Sequence, residues 1–222
     1  DLNPHGEGMV LDDKYATYSA LKCVGVPAVE HLIVYPSTNQ NHYARGRNTV
    51  EYVVNYFHQN HNHIVLKPNC GAVGRGVTQI TDERQIVPTL GDLFSGNETV
   101  SMSPFYEILH EYRVVLLDGE VQLDYMKVLT DKSTWKFNLK QGSTVAEIPE
   151  DKREEVITLA KEAAVKIGLR FGSVDVVEIS DGELMVLEIN SGVMIRQFTK
   201  LHPEREQEVY EIYRRAIRKM FE

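Results

Sequence analysis

The 222-residue chain reads as an α+β protein with two lobes, each an antiparallel sheet carrying helices. Two segments show the strand–turn–strand pattern of a tight hairpin: EYRVVLLDGEVQLDYMKV around Asp118-Gly119, and VDVVEISDGELMVLEIN around Asp181-Gly182. A helical pattern lies between the hairpins and another follows them, so both helices are expected to cover one antiparallel sheet. Shorter alternating strand and helix patterns precede Pro104. The division is therefore expected near that residue, giving lobes 1–104 and 105–222.

In chain order, DDKYATYSALKCV from Asp12 to Val24 has an acidic start, helical apolar spacing and a GVP stop, which predicts a helix capped by Asp12 or Asp13. VEHLIVY follows as a strand. From Thr49 to Phe57 the apolar stripe Val50, Val53, Val54 and Phe57 predicts a second helix. HIVLK, from His63 to Lys67, reads as a strand, and PNCGAVGRGVTQI as a loop rich in glycine (Gly71, Gly74, Gly76) that leads into another. The strand TVSMSPF closes the first lobe. In the second, a helix from about Asp151 to Ile167 presents Val156, Leu159, Ala160, Ala163, Ala164 and Ile167, and Gly168 ends it. The last helix, beginning at Pro203, is expected to bury Val209, Ile212, Tyr213, Ala216, Ile217 and Met220 on one face.

The composition, 42% hydrophobic and 25% charged, is that of an ordinary folded protein with a substantial core. No run approaches the roughly 20 apolar residues of a spanning helix, and DLNPHGEG lacks the layout of a signal peptide, so the expectation is a cytoplasmic protein with no membrane partner. Cys23 and Cys70 allow at most one disulfide and match no zinc spacing. A formal net charge of −8 argues against nucleic acid as a partner. Any nucleotide bound here should be small and accompanied by a cation.

If the second hairpin turns at Asp181-Gly182, Asp175 sits directly opposite Glu188, with Cβ atoms about 4.5–5.5 Å apart, and Asn190 faces the same side. Val177/Val186 and Ile179/Leu184 then share that face. Two opposed carboxylates need a cation, a shared proton or good solvation. Oxygen donors without His or Cys suit magnesium, while a wet sheet edge would leave both carboxylates merely solvated. Lys67-Pro68 and the loop after it set a cation beside backbone N–H groups, an arrangement for phosphate or simply a long hairpin loop. In the first hairpin, the turn places Arg113 opposite Asp124, so a cross-strand ion pair accounts for it as well as a substrate-carboxylate clamp does. Lys127 reads as a solvated cation or a substrate contact, and the cluster His58, His61, His63 as a solvated helix end.

The order of these pieces resembles the ATP-grasp superfamily over nearly the whole chain. Asp13-Lys14 with its helix and GVP, IVLKP with GAVGRGV, FYEILHEYRVVLLDGEV, WKFNLKQGS and the terminal DVVE with LEIN carry the resemblance, which is strongest to the ribosomal-protein glutamate ligase and D-alanine:D-alanine ligase groups. It implies two lobes with the nucleotide held between them, ATP and magnesium as cofactors, and an amide-forming ligase working through an acyl phosphate on small-molecule or peptide carboxylate and amine substrates. By the same resemblance Lys14 and Lys67 touch the ATP phosphates, and the loop of Gly71, Gly74 and Gly76 covers them. Adenine lies against Tyr106, Glu107 and Ile108, and Glu111 binds the ribose. Asp175, Glu188 and Asn190 hold magnesium, while Lys67, Arg113 and Asn138 act on the phosphates or substrate. Two departures stand out. Asn190-Ser191-Gly192-Val193-Met194 replaces the usual Pro-Gly, and only a dozen residues precede Lys14 where the family has a domain, so a fragment, or a partner domain supplying that surface, is expected. The rival reading is a nucleotide-binding regulatory module without turnover.

Overall fold

The computed structural model describes residues 2–3, 10–71, 74–131, 135–137, 139, 142–193 and 195–222. The chain forms two compact units, one comprising 13–19 and 29–106, the other 1–12, 20–28 and 107–222. The N-terminal segments thus do not all follow the single cut expected at residue 104. The physical reason is burial: Leu11, Leu21 and Val26 lie in one apolar cluster with Tyr112, Val114 and Leu116.

Helix α1 (Lys14–Cys23) contributes its residues through Ser19 to the first unit and the rest to the second. Of the two cap candidates it uses Asp13, whose Oδ1 accepts from the Ala16 N–H at 2.7 Å. The first unit continues with β1 (Leu32–Val34), α2 (Val50–Gln59), β2 (Ile64–Pro68), β3 (Thr78–Ile80), α3 (Ile86–Phe94) and β4 (Val100–Pro104). Its four strands run antiparallel in the order β1-β4-β2-β3. Thr49 caps α2 through the Tyr52 N–H, but the buried line of that helix is Val53, Tyr56 and Phe57, with Val50 exposed. The stripe is turned because Tyr56 carries more apolar area than Val50 and donates its hydroxyl to Glu30 at 2.7 Å. Helix α3 has no counterpart in the sequence reading, since Pro88 and Gly91 mask its pattern. Pro88 is tolerated in its first turn, where its missing N–H would have no partner. Ile86, Leu90 and Leu93 pack it onto Ile64, Leu66 and Met102.

The second unit is built on β5 (Ile108–Leu117), β6 (Glu120–Val128), β7 (Thr144–Ala146), α4 (Glu150–Ile167), β8 (Phe171–Ile179), β9 (Leu184–Asn190), α5 (Arg196–Leu201) and α6 (Glu206–Lys219). Its antiparallel sheet has the order β7-β6-β5-β8-β9. Side-chain alternation separates its two faces. Tyr112, Val114, Leu116, Val174 and Val176 pack with Val156, Leu159, Ala160 and Ala163 of α4. Val115, Leu123 and Tyr125 pack with Phe198 of α5 and with Val209 and Ile212 of α6. Gly168 ends α4 in the left-handed conformation, at φ 79°. Helix α6 buries Val209, Ile212 and Ala216 but leaves Tyr213, Ile217 and Met220 exposed, so the six-residue face read from sequence is only half used.

Both hairpins depart from the simple register, and both departures shape the site. The first turns through Asp118 and Gly119, each at positive φ (47° and 79°), as a two-residue loop whose twist matches the strands. A bulge then inserts Gln122: Leu116 pairs with Val121, but Val115 with Leu123. Arg113 therefore faces Tyr125 rather than Asp124, and Asp124 binds Arg153 of α4 at 2.8 Å. The second hairpin turns through three residues, Ser180 to Gly182. Ile179 N–H donates to the Glu183 carbonyl at 3.1 Å, and Gly182 takes φ 87°. Val176 then pairs with Val186 and Glu178 with Leu184, which corrects the Val177/Val186 and Ile179/Leu184 pairs expected from a two-residue turn. A bulge at Leu187 restores the facing pair Asp175 and Glu188. Turn length and bulge offset each other at the one position that matters most.

Candidate functional site

The residues singled out from sequence gather into two constellations, one within each unit. In the second unit, residues 111, 113 and 115 of β5 share a face by alternation, and the bulge at Gln122 moves Leu123, Tyr125 and Lys127 of β6 onto it. The bulge at Leu187 does the same for Glu188 and Asn190 of β9. Without it, these two side chains would point to the α4 face, with Val186. The resulting polar cluster is dry at its centre: Asp175 is fully buried, and Glu111 and Lys127 are each 6% exposed.

Arg113 grips Asp175 through both carboxylate oxygens, Nε to Oδ1 at 2.7 Å and Nη2 to Oδ2 at 2.6 Å. Lys127 Nζ bonds Glu111 Oε1 and stands 3.3 Å from Asp175 Oδ2. Asn190 Nδ2 donates to Glu188 Oε1 at 3.4 Å. Two cations thus serve two buried carboxylates, Asp175 and Glu111. Burial would raise Asp175, but Arg113 and Lys127 outweigh it and hold its carboxyl well below the usual range. Burial also acts on Glu111 and there it prevails: Lys127 pulls the carboxyl down, but Asp175 and Glu188 oppose it, and Glu111 rises to about 7. Lys127, disfavoured by burial and by Arg113, is kept charged by Asp175 and Glu111. Lys127 is thus a buried partner of two carboxylates rather than a solvated cation. Its alternation with Leu123 and Tyr125 was the available signal, and the bulge concealed it.

For a hard cation, Glu188 and Asn190 offer oxygen donors on a half-buried edge, and Asp175, though bound by two cationic side chains, retains further lone-pair capacity. The donor chemistry suits magnesium. No group of three or more His, Cys, Asp and Glu stands together as a metal cluster among the described residues; the third donor here is an amide.

In the first unit, Asp13 bridges to Cys70, and Asn69, fully buried, knits the start of α1 to the glycine loop. Its amide donates to Asp13 Oδ2 at 2.7 Å and accepts from the Tyr15 N–H at 3.1 Å. Lys14 Nζ is held by the Gly71 carbonyl at 2.8 Å, so the predicted first lysine and the head of the loop are neighbours. Asn69 was read only as part of the loop; an Asn after a strand-ending proline is common turn chemistry and did not single it out. Lys67 sits on β2 opposite Ser101, mostly buried. Gly74 and Gly76 take positive φ, and a Cβ at Gly76 would lie 3.0 Å from Leu93 and 3.1 Å from Pro68. The loop's return is thus pressed against the strand that carries Lys67. Tyr106 is the last residue of the first unit, and Glu107 opens the final segment of the second. The Glu107 carbonyl accepts from Ser180 N–H at 3.0 Å, and Ile108 pairs with Ile179. Asn138 lies outside the described residues. His58 binds Asn62 and Glu83, while His63 stacks on Phe105 at 4.0 Å between ring centres.

Two antiparallel sheets, one bearing a glycine loop with lysines and the other a buried acidic–basic face, define an ATP-grasp architecture. Solved structures share it: D-cycloserine synthetase DcsG superposes with a TM-score of 0.66 at 20% identity, covering 92% of this chain and 73% of that one. D-alanine–D-alanine ligase from Bacillus anthracis gives 0.62 at 17% identity, covering 82% and 57%. The chain belongs to the family described as prokaryotic glutathione synthetase, ATP-grasp domain, whose model matches residues 47–202. It is also 31% identical over 134 residues to the tetrahydromethanopterin:alpha-L-glutamate ligase of Methanocaldococcus jannaschii, a match covering 57% of this chain and 44% of that protein. The chain therefore spans less than half the length of that relative. Among the described residues no helix is long and apolar enough to cross a membrane.

Proposed function

We propose that the chain is the ATP- and magnesium-using part of a carboxylate–amine ligase acting in the cytoplasm. ATP phosphorylates a substrate carboxylate, and an amine displaces phosphate to leave an amide, ADP and phosphate. The observation that carries this reading is the single polar face on which Glu111, Lys127, Arg113, Asp175, Glu188 and Asn190 converge, in a chain of an ATP-grasp family.

A carboxylate resists amine attack because oxide would have to leave; a phosphorylated one releases phosphate. Charge must then be offset on the transferring phosphoryl group. Magnesium held by Asp175, Glu188 and Asn190 would supply positive charge there. Arg113 fixes the Asp175 carboxylate in one orientation and keeps guanidinium N–H groups for a substrate carboxylate. Lys14 and Lys67 are assigned to the nucleotide phosphates, and the loop of Gly71, Gly74 and Gly76 to covering them. Backbone near Tyr106, Glu107 and Ile108 is assigned to adenine and Glu111 to the ribose. Asn138 is assigned to the phosphates or substrate. In this reading the unit of residues 13–19 and 29–106 carries the phosphate-loop lobe and that of 1–12, 20–28 and 107–222 the magnesium-binding lobe, with the acceptor surface completed by a further domain. The relative's name makes alpha-L-glutamate the first amine to try.

The test is to incubate the protein with magnesium-ATP and hydroxylamine across a panel of carboxylic acids and short acidic peptides, then identify both products. A hydroxamate with ADP and phosphate is expected. AMP and pyrophosphate would overturn the acyl-phosphate route, and tight ATP binding with no product across the panel would favour a binding module.

A further inference from the structure

Ser173 lies on β8 two residues before Asp175, on the same face of the sheet. It pairs with Val115 of β5 on one side and with Asn190 of β9 on the other. Ser173 is fully buried next to Val115 of the apolar cluster under α5 and α6, and its hydroxyl has no hydrogen-bond partner among the described residues. A hydroxyl kept from water without a partner is unfavourable and uncommon in a folded protein. Alanine would fill nearly the same space and leave nothing unsatisfied.

The residue directly across the strand pair is Asn190, so the two Cβ atoms stand about 4.5–5.5 Å apart. The backbones are close here, since a Cβ on Gly172 would collide with the Asn190 carbonyl oxygen. The Asn190 amide is loosely held. Among the described residues its side chain makes one hydrogen bond, from Nδ2 to Glu188 Oε1 at 3.4 Å, beyond the usual range for N–H to oxygen. In the ligase reading, Asn190 and Glu188 hold magnesium together. An amide meets a hard cation through its oxygen, because its NH2 group carries only donors. A cation shared with Glu188 repels the Nδ2 hydrogens from the place where they now rest, and they need another acceptor. Across the strand pair stands a hydroxyl with both lone pairs unused.

From this we propose that Ser173 is a positioning residue of the magnesium site: its Oγ accepts from Asn190 Nδ2 and so turns Oδ1 toward the cation that Glu188 shares. The proposal rests on the ligase reading, in which Asn190 is a magnesium donor. Hydrogen bonds behind a metal ligand fix its orientation, and losing one typically lowers metal affinity about 10- to 100-fold. Such a role accounts for a polar atom kept at a position that the metal-free fold leaves without a partner.

The test is calorimetric titration of ADP at graded magnesium, with thermal melting of the metal-free protein alongside, for the wild type, Ser173→Ala, Asn190→Asp and the double variant. Ser173→Ala should need about tenfold more magnesium for half-maximal enhancement of ADP binding, with unchanged metal-free ADP affinity. Its metal-free melting temperature should equal or exceed that of the wild type, since an unpartnered hydroxyl is removed. Asn190→Asp keeps an oxygen for the cation but has no Nδ2–H to give, so adding Ser173→Ala to it should lower magnesium affinity no further. An unchanged magnesium requirement in Ser173→Ala overturns the proposal and leaves the ligase reading standing. A lower melting temperature with equal losses of ADP affinity with and without magnesium makes the hydroxyl structural, and a second tenfold loss in the double variant removes the route through Asn190. A wild type whose ADP binding ignores magnesium overturns the magnesium site and this proposal together.

Discussion

Replacing Glu111 with Gln should change how folding stability depends on pH, and the sign follows from the site. Glu111 is buried beside Lys127, yet its carboxyl is pushed up to about 7 from an ordinary 4.5. A carboxyl raised in the fold holds its proton more tightly folded than unfolded. Its contribution to stability is therefore fully present below pH 4.5 and is lost as pH rises through about 7. A displacement of that size corresponds to about 3 kcal/mol, a large share of the roughly 5–15 kcal/mol that stabilises a domain. Gln cannot titrate, but its amide oxygen still accepts from Lys127. Urea unfolding of both proteins, followed by far-UV dichroism and by fluorescence of Trp135, should be run at pH 5 and pH 8. The wild type should lose about 2.5 kcal/mol relative to Glu111→Gln between the two, slightly less than the full displacement because the unfolded carboxyl is already largely ionised at pH 5. A constant difference would mean that Glu111 is charged at both pH values. A difference moving the opposite way would mean that Lys127 prevails over burial, and the assignment of Asp175 as the chief beneficiary of the cluster's positive charge would fall with it.

Glu188→Gln should weaken nucleotide binding measured by calorimetry in magnesium while barely changing the metal-free affinity; equal losses in both conditions would remove the metal role. Lys67→Ala should cost about 1.5–3 kcal/mol of ATP affinity, and a loss seen only in thermal stability would make Lys67 structural. Gly172→Ala would place a Cβ 2.4 Å from the Asn190 carbonyl oxygen. Relief should cost about 1–3 kcal/mol of stability and displace the strand end that carries Asn190, lowering magnesium-dependent binding; an unchanged melting curve would show that the strand gives way freely.

The sequence carried most of the secondary structure because its strongest signals are local. Asp-Gly in a strand context, a Gly168 stop and a three-four apolar repeat each act within a few residues. Long-range placement was less legible. Arg113 and Asp124 were set opposite each other by counting from a turn, and one extra residue at Gln122 undoes the count. The facing of Asp175 and Glu188 was reached from a turn one residue too short and holds because Leu187 compensates. Lys127 looked like any surface lysine, since a single sequence does not reveal burial. Helix α3 was hidden by Pro88, whose place in a first turn is harmless, and α6 looked fully amphipathic although its sheet needed only half of the stripe.

The pairing of a three-residue turn with a single extra residue at Leu187 gives the second hairpin something like a reading frame. Inserting or deleting one residue anywhere between Ser180 and Leu187 would throw Glu188 and Asn190 to the opposite side of the sheet, into the apolar layer under α4, much as a frameshift scrambles every codon downstream. Changes of two residues, or a one-residue deletion balanced by a one-residue insertion, would keep the frame. Length variation among functional descendants of this hairpin should therefore come in even steps or in compensated pairs, while the identity of the turn residues drifts within the limits set by the left-handed conformation at Gly182.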